Sequence, residues 1–112
     1  MGLDELRAMK CVPCEGGVPK LTAAETADFL RQVNGWTTDG DHIRKSYTFA
    51  NFLEAMAFLN DIARVAEAEG HHPDFTLHSW NKVDVTLWTH AIGGLSRNDF
   101  ILAAKIDALR PS

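Results

Sequence analysis

Phe75-Thr76-Leu77-His78-Ser79-Trp80-Asn81-Lys82-Val83-Asp84-Val85-Thr86-Leu87-Trp88-Thr89-His90 is the stretch on which the fold turns. Val83, Val85 and Leu87 fall on one side of an extended chain, and Asp84, Thr86, Trp88 and His90 on the other. That alternation predicts a strand with one face on a core. Phe75 to Trp80 predicts a shorter strand before it, and Trp80-Asn81 a tight connection. Just upstream, Phe52, Met56, Leu59, Ile62, Ala63 and Ala66 recur at helical spacing, so a helix is expected from about Phe52 to Glu69. Asn51 and Glu54 supply its start signal and Gly70 its stop. A stripe that long needs a broad surface to pack on, most simply a sheet.

The same grammar repeats nearer the N-terminus. Thr22 and Glu25 have capping-box spacing, with a helix expected to about Val33 and ended by Asn34-Gly35. Trp36 to Phe49 predicts a hairpin turned at Asp39-Gly40. Within it Ile43, Tyr47 and Phe49 alternate with Arg44, Ser46 and Thr48, and Lys45 interrupts the apolar register, so it is expected to lie at an edge or to reach along the surface to solvent. After Gly93-Gly94, Ser96 with Asp99 three residues on opens a last helix that stops before Pro111. Leu95 and Phe100 have the spacing of a hydrophobic staple. The expected architecture is α+β: a four-stranded, mainly antiparallel sheet with three helices on one face, in helix-hairpin-helix-hairpin-helix order. Residues 1–20, broken by Pro13, Gly16, Gly17 and Pro19, are expected to form an irregular leader, and residues 21–110 a single domain.

A chain of 112 residues with 46% hydrophobic and 23% charged residues has the composition of one globular domain. Its formal net charge of -4, without a basic run, argues against direct nucleic-acid binding. No apolar run reaches the length of a membrane span, and Met1 to Glu5 lacks a secretory pattern, so cytoplasmic residence is expected. Cys11 and Cys14 have a Cys-x-x-Cys spacing but no strand pattern before them, so a redox pair is disfavoured.

Chemistry concentrates in Glu67-Ala68-Glu69-Gly70-His71-His72-Pro73-Asp74. Pro73 forces the chain out of helical geometry and presents two imidazoles at a fixed corner. His90 ends the following strand, and Asp99 begins the helix beyond it. Imidazole exchanges protons near neutrality without a large environmental shift, and a nearby carboxylate can fix its tautomer. Spacing alone leaves open a polar corner without chemistry, or a metal centre using His71, His90 and a cysteine.

Read together, Glu67-x-x-x-His71-His72-Pro73, Trp80-Asn81-Lys82-Val83, Thr89-His90, Gly93-Gly94-Leu95-Ser96 and Arg97-x-Asp99 resemble the pterin-4a-carbinolamine dehydratases, also called 4a-hydroxytetrahydrobiopterin dehydratases. Gly35-Trp36 and the Cys11-Val12-Pro13-Cys14 leader fit as well. The resemblance spans about Leu21 to Leu109. It implies a hydro-lyase that converts 4a-hydroxytetrahydropterin to quinonoid dihydropterin and water, with no cofactor and no metal. His71, His72 and His90 would be catalytic, with Glu67 orienting His71 or binding a pterin N–H, Asp99 supporting His90 or responding to its charge, and Trp36 associated with the pterin. Ala91 stands where an acidic residue often follows the third histidine. The resemblance also implies a homodimer or homotetramer and a functional link to a pterin-dependent aromatic amino-acid hydroxylase. The rival expectation is a non-catalytic dimerisation or binding module of the same fold.

Overall fold

A computed structural model describes residues 3–9, 11 and 19–109 of the chain. The elements are α1 (Leu3–Ala8), α2 (Ala23–Leu30), β1 (Thr37–Thr38), β2 (Ile43–Thr48), α3 (Phe52–Glu69), β3 (Asp74–His78), β4 (Lys82–Leu87) and α4 (Arg97–Leu109), with a single 3-10 turn at His90–Ile92. The strands form one antiparallel sheet in the order β1-β2-β4-β3. The second hairpin thus inserts its later strand beside β2, which makes β4 central and β3 an edge.

Alternation does the work the sequence assigns to it. Ile43 and Tyr47 of β2 and Val83, Val85 and Leu87 of β4 are buried. They share a core with Ala55, Phe58, Leu59 and Ile62 of α3 and with Phe100, Ile101 and Leu102 of α4. Helices therefore cover one face. The other carries exposed Arg44, Ser46 and Thr48 with half-buried Asp84 and Thr86. No helix among the described residues is long and apolar enough to cross a membrane.

Local signals set the boundaries. Thr22 and Glu25 close a reciprocal capping box at α2. Asn51 accepts the Glu54 backbone N–H at 2.8 Å and opens α3. Gly70, in the left-handed region at φ 65°, closes α3 with its N–H on the carbonyls of Ala66 and Glu67. Helix α2 ends at Leu30, a turn short of the expected Val33, although Val33 is still buried.

Two expectations need correction. The leader is not wholly irregular: Leu3–Ala8 is helical and packs on α4. Leu6 is fully buried there, an anchor of roughly 1.5–3 kcal/mol. Lys105 Nζ donates to the Arg7 carbonyl at 2.8 Å, and the Cys11 N–H donates to Glu69 Oε1 at 2.9 Å. A six-residue helix is too short to show a period, so its sequence carried no readable signal. Pro13, Cys14, Gly16 and Gly17, to which the leader reading also appealed, lie outside the described residues.

Lys45 supplies the second correction. It does not reach to solvent from a sheet edge. Its ammonium bonds Asp107 Oδ1 at 3.0 Å, with side chains 12% and 3% exposed respectively. Asp107 also accepts the Asn34 backbone N–H and the Trp36 indole N–H, each at 3.0 Å. One carboxylate near the end of α4 thus joins β2 to the loop after α2. Gly35, at φ 78°, lets that loop pass close to the Lys45 stem. Removing the carboxylate strands a buried ammonium. Asp107→Ala is expected to lower unfolding free energy by about 3–5 kcal/mol in urea titration.

Candidate active site

The end of α3, the end of β4 and the start of α4 meet at one corner. Gly70 turns the chain out of α3 so that His71 and His72 emerge with different exposures. His71 is buried at 7% relative exposure, while His72 and His90 are largely exposed. All three nevertheless line one cavity of about 470 Å³, together with Gly70, Pro73, Asp74, Trp88, Thr89 and Ala91. That volume falls in the range of small-molecule sites.

The carboxylates pair differently from the simplest reading of the sequence. Asp99 supports His71, not His90: its Oδ1 lies 2.6 Å from His71 Nε2. Its Oδ2 accepts the Thr89 hydroxyl and the Ser96 backbone N–H, both at 2.9 Å. Glu67 in turn faces His72, with Oε1 at 2.6 Å from Nε2. An ionised carboxylate only accepts hydrogen bonds. Each of these imidazoles therefore carries its proton on Nε2 when neutral, and its Nδ1 is the free base. His90 is different again. Its nearest acidic partner among the described residues is Asp74, whose Oδ2 is 4.0 Å from Nε2.

Ser96 also departs from the expected cap. Its backbone N–H serves Asp99, but its hydroxyl is 2.8 Å from the Thr89 hydroxyl. Thr89 and Gly94 bridge in antiparallel fashion across the short 3-10 turn. The loop is thus tied to the same carboxylate that orients His71.

Trp36 is the predicted site residue that the fold takes elsewhere. It is buried at 6% exposure, bonded to Asp107, and does not line the cavity. Asp74 and Trp88 do line it, although neither stood among the site residues expected from the sequence. Trp88 was conspicuous as a large aromatic on the polar face of its strand, and Asp74 directly follows the His-His-Pro corner. Ala91 also lines the cavity, and the carboxylate nearest His90 comes from Asp74 across the sheet. Among the described residues, no group of three or more His, Cys, Asp or Glu is arranged to hold a metal ion. Cys11 lies elsewhere, its Sγ 3.6 Å from the Asn98 carbonyl. Cys14 is outside the described residues.

The fold and site together define a small α+β protein with a histidine-lined cavity at one end of its sheet. A family model for pterin 4 alpha carbinolamine dehydratase matches residues 19–109, and the chain belongs to that family. A protein of Nitrosospira multiformis assigned to the same family is 49% identical over 107 residues, covering 96% of this chain and 94% of its own. The mitochondrial pterin-4-alpha-carbinolamine dehydratase 2 of Arabidopsis thaliana is 42% identical, covering 96% of this chain and 60% of that longer protein. Among solved structures, the transcriptional coactivator/pterin dehydratase of Brucella melitensis superposes with a TM-score of 0.75 at 36% identity, covering 81% of this chain and 98% of that one.

Asp99→Asn tests the role of the buried carboxylate. The Ser96 N–H requires an oxygen on its side, so the amide NH₂ must face His71. His71 Nε2 then becomes the acceptor and the ring proton moves to Nδ1. The expected result is a folded protein with dehydration slowed by roughly 10²–10⁴-fold, measured by stopped flow.

Proposed function

We propose that this cavity binds a 4a-hydroxytetrahydropterin and expels its C4a hydroxyl as water through histidine acid-base catalysis. Family membership makes the chain a dehydratase acting on a pterin, a hydro-lyase. The observation that supports the residue assignment is the convergence of His71, His72 and His90 on one cavity of suitable size.

The chemistry needs two proton transfers and no change of oxidation state. The N5 lone pair forms the C4a=N5 bond as the C4a–O bond breaks. A base takes the N5 proton, and an acid gives a proton to the departing oxygen, so water leaves. In this reading His71 is the base. Its Nδ1 lone pair is free, and the positive charge it gains is stabilised by Asp99. His72 and His90, nearer solvent, attend the departing hydroxyl; His90, with neither nitrogen committed to a close carboxylate, gives it the proton, and His72 is steered by Glu67. Between turnovers His71 gives up its Nδ1 proton through water in the cavity, and the two exposed rings regain theirs from it, which restores the starting state. Glu67 and Asp99 act through the rings they hold. Trp36, bonded to Asp107 in the core, supports the fold behind the site rather than walling it.

The substrate is what oxygen insertion by a pterin-dependent hydroxylase leaves behind, so the chain would recycle the pterin for such an enzyme, including those acting on aromatic amino acids. Self-association as a homodimer or homotetramer is part of this reading. β3 is an edge strand with Phe75 53% exposed, and α3 presents Phe52, Leu53 and Met56 to solvent. Pairing these surfaces in copies of the chain would bury apolar area that a single copy leaves open. Light scattering on the purified protein should give a mass at least twice the 12.4 kDa of one chain. A non-catalytic binding module would have no need of three imidazoles on one cavity.

His71→Ala and His72→Ala, assayed by stopped flow on freshly generated 4a-hydroxytetrahydropterin with the spontaneous reaction subtracted, are each expected to slow turnover by roughly 10²–10⁴-fold. Near-normal rates from both folded variants would sink the mechanism.

A further inference from the structure

We infer that Trp88 is a positioning residue of this site, whose indole forms the platform holding the His90 imidazole at the cavity, with Asp74 fixing that platform. The inference rests on the acid-base role proposed for His90. His71 and His72 each have a carboxylate at 2.6 Å, and His90 has none so close. What orients His90 is a ring contact: its centroid lies 3.9 Å from that of Trp88, with the planes 31° apart.

The sheet explains why the indole stands there. Ile43 pairs with Leu87, so His42 falls directly across from Trp88 on the face away from the helices. Asp74 pairs with Thr86, which puts its carboxylate on that same face, diagonal to Trp88. The Trp88 Nε1–H donates to Asp74 Oδ2 at 3.0 Å. On the other flank the His42 ring sits 4.8 Å from the indole at 59°. His42 is itself anchored, with Nδ1 3.1 Å from Asp39 Oδ2. The Asp41 backbone N–H, followed by His42 and Arg44, holds the Asp39 carboxyl well below the usual carboxylate range, so that anchor stays charged.

Trp88 is thus restrained by His42 on one flank and by its N–H bond to Asp74 before His90 packs on it. His90 side-chain exposure is 61%, and a ring so open would otherwise turn freely. Stacking restricts its plane without occupying either ring nitrogen, which leaves both available for proton transfer. A hydrogen-bonded carboxylate, as at His71 and His72, commits one of them.

The test compares Trp88→Leu, which removes the platform, with Trp88→Phe, which keeps an aromatic face. In Trp88→Leu, kcat for 4a-hydroxytetrahydropterin should fall by about 10- to 100-fold while KM changes little, as expected for a misplaced catalytic group. Trp88→Phe should recover most of kcat. In proton NMR, the His90 ring C–H resonances, assigned with His90→Ala, should move downfield when the indole is lost. Should Trp88→Leu not fold, Asp74→Ala, which frees the indole, is expected to lower kcat and move the same resonances. Unchanged kcat in folded Trp88→Leu or Asp74→Ala, or unmoved His90 resonances, would overturn the inference. So would a raised KM with kcat retained, which would mean that Trp88 holds the substrate instead. His90→Ala separates the two levels. If it is slow while Trp88→Leu is normal, only the platform fails; if it is as fast as the parent, the acid-base role of His90 fails and the platform has nothing to serve.

Discussion

A single buried carboxylate, that of Asp99, organises the corner where the chemistry is placed. It is fully buried, yet each oxygen is satisfied: one faces His71, and the other accepts from Thr89 and Ser96. Taking a carboxylate out of water is costly unless such donors replace the solvent. Its place in the first turn of α4 adds the favourable field of the helix N-terminus. Those donors come from the end of β4 and the loop before α4, and the imidazole from just beyond α3. Satisfying one charge therefore brings three elements into register.

Asp107 performs the complementary task two turns further along α4. It gathers Lys45, Trp36 and the Asn34 backbone, and its partners are an ammonium and two N–H groups rather than an imidazole. The same helix thus uses one buried acid to orient a titratable ring and another to brace the sheet. The difference lies in what each acid faces. Asp99 faces an imidazole that lines a cavity, whereas Asp107 faces an ammonium, an indole N–H and a backbone N–H inside the fold.

Much of this was legible in the sequence because it follows from period and punctuation. The bounds of α3, Phe52–Glu69, follow from Asn51 and Gly70, but of the expected stripe only Leu59, Ile62 and Ala66 are buried, with Ala55 and Phe58 in place of Phe52, Met56 and Ala63. The two hairpins follow from alternation and the His71-His72 corner from Pro73, while His90 lies beyond β4, which ends at Leu87, in the 3-10 turn. What could not be read was pairing. Glu67 is four residues from His71 and five from His72, so helical spacing favoured the wrong ring, and only the exit angle at Gly70 sends His72 to it. Asp99 was near His90 in sequence but reaches His71, 28 residues away, because β4 and α4 close over the end of α3. The misplacement of Trp36 has the same origin. Its indole required a buried acceptor, and the one available, Asp107, lies 71 residues on. The α1 helix was hidden for another reason: its six residues are fixed by tertiary contacts rather than by a pattern of their own.

The exposure gradient across the three rings gives the site its direction. His71 is nearly closed off, with one nitrogen committed to a fully buried acid. In the proposed mechanism that environment suits His71 as the group that receives a proton from the substrate and holds it until the bond to oxygen breaks. His72 and His90 sit where water can reach them. In that mechanism water is both the product and the medium through which their protons are replaced, so excluding it from these two rings would impede turnover. The fold splits one His-His corner across the boundary between core and solvent, and Gly70 and Pro73 set where that boundary falls.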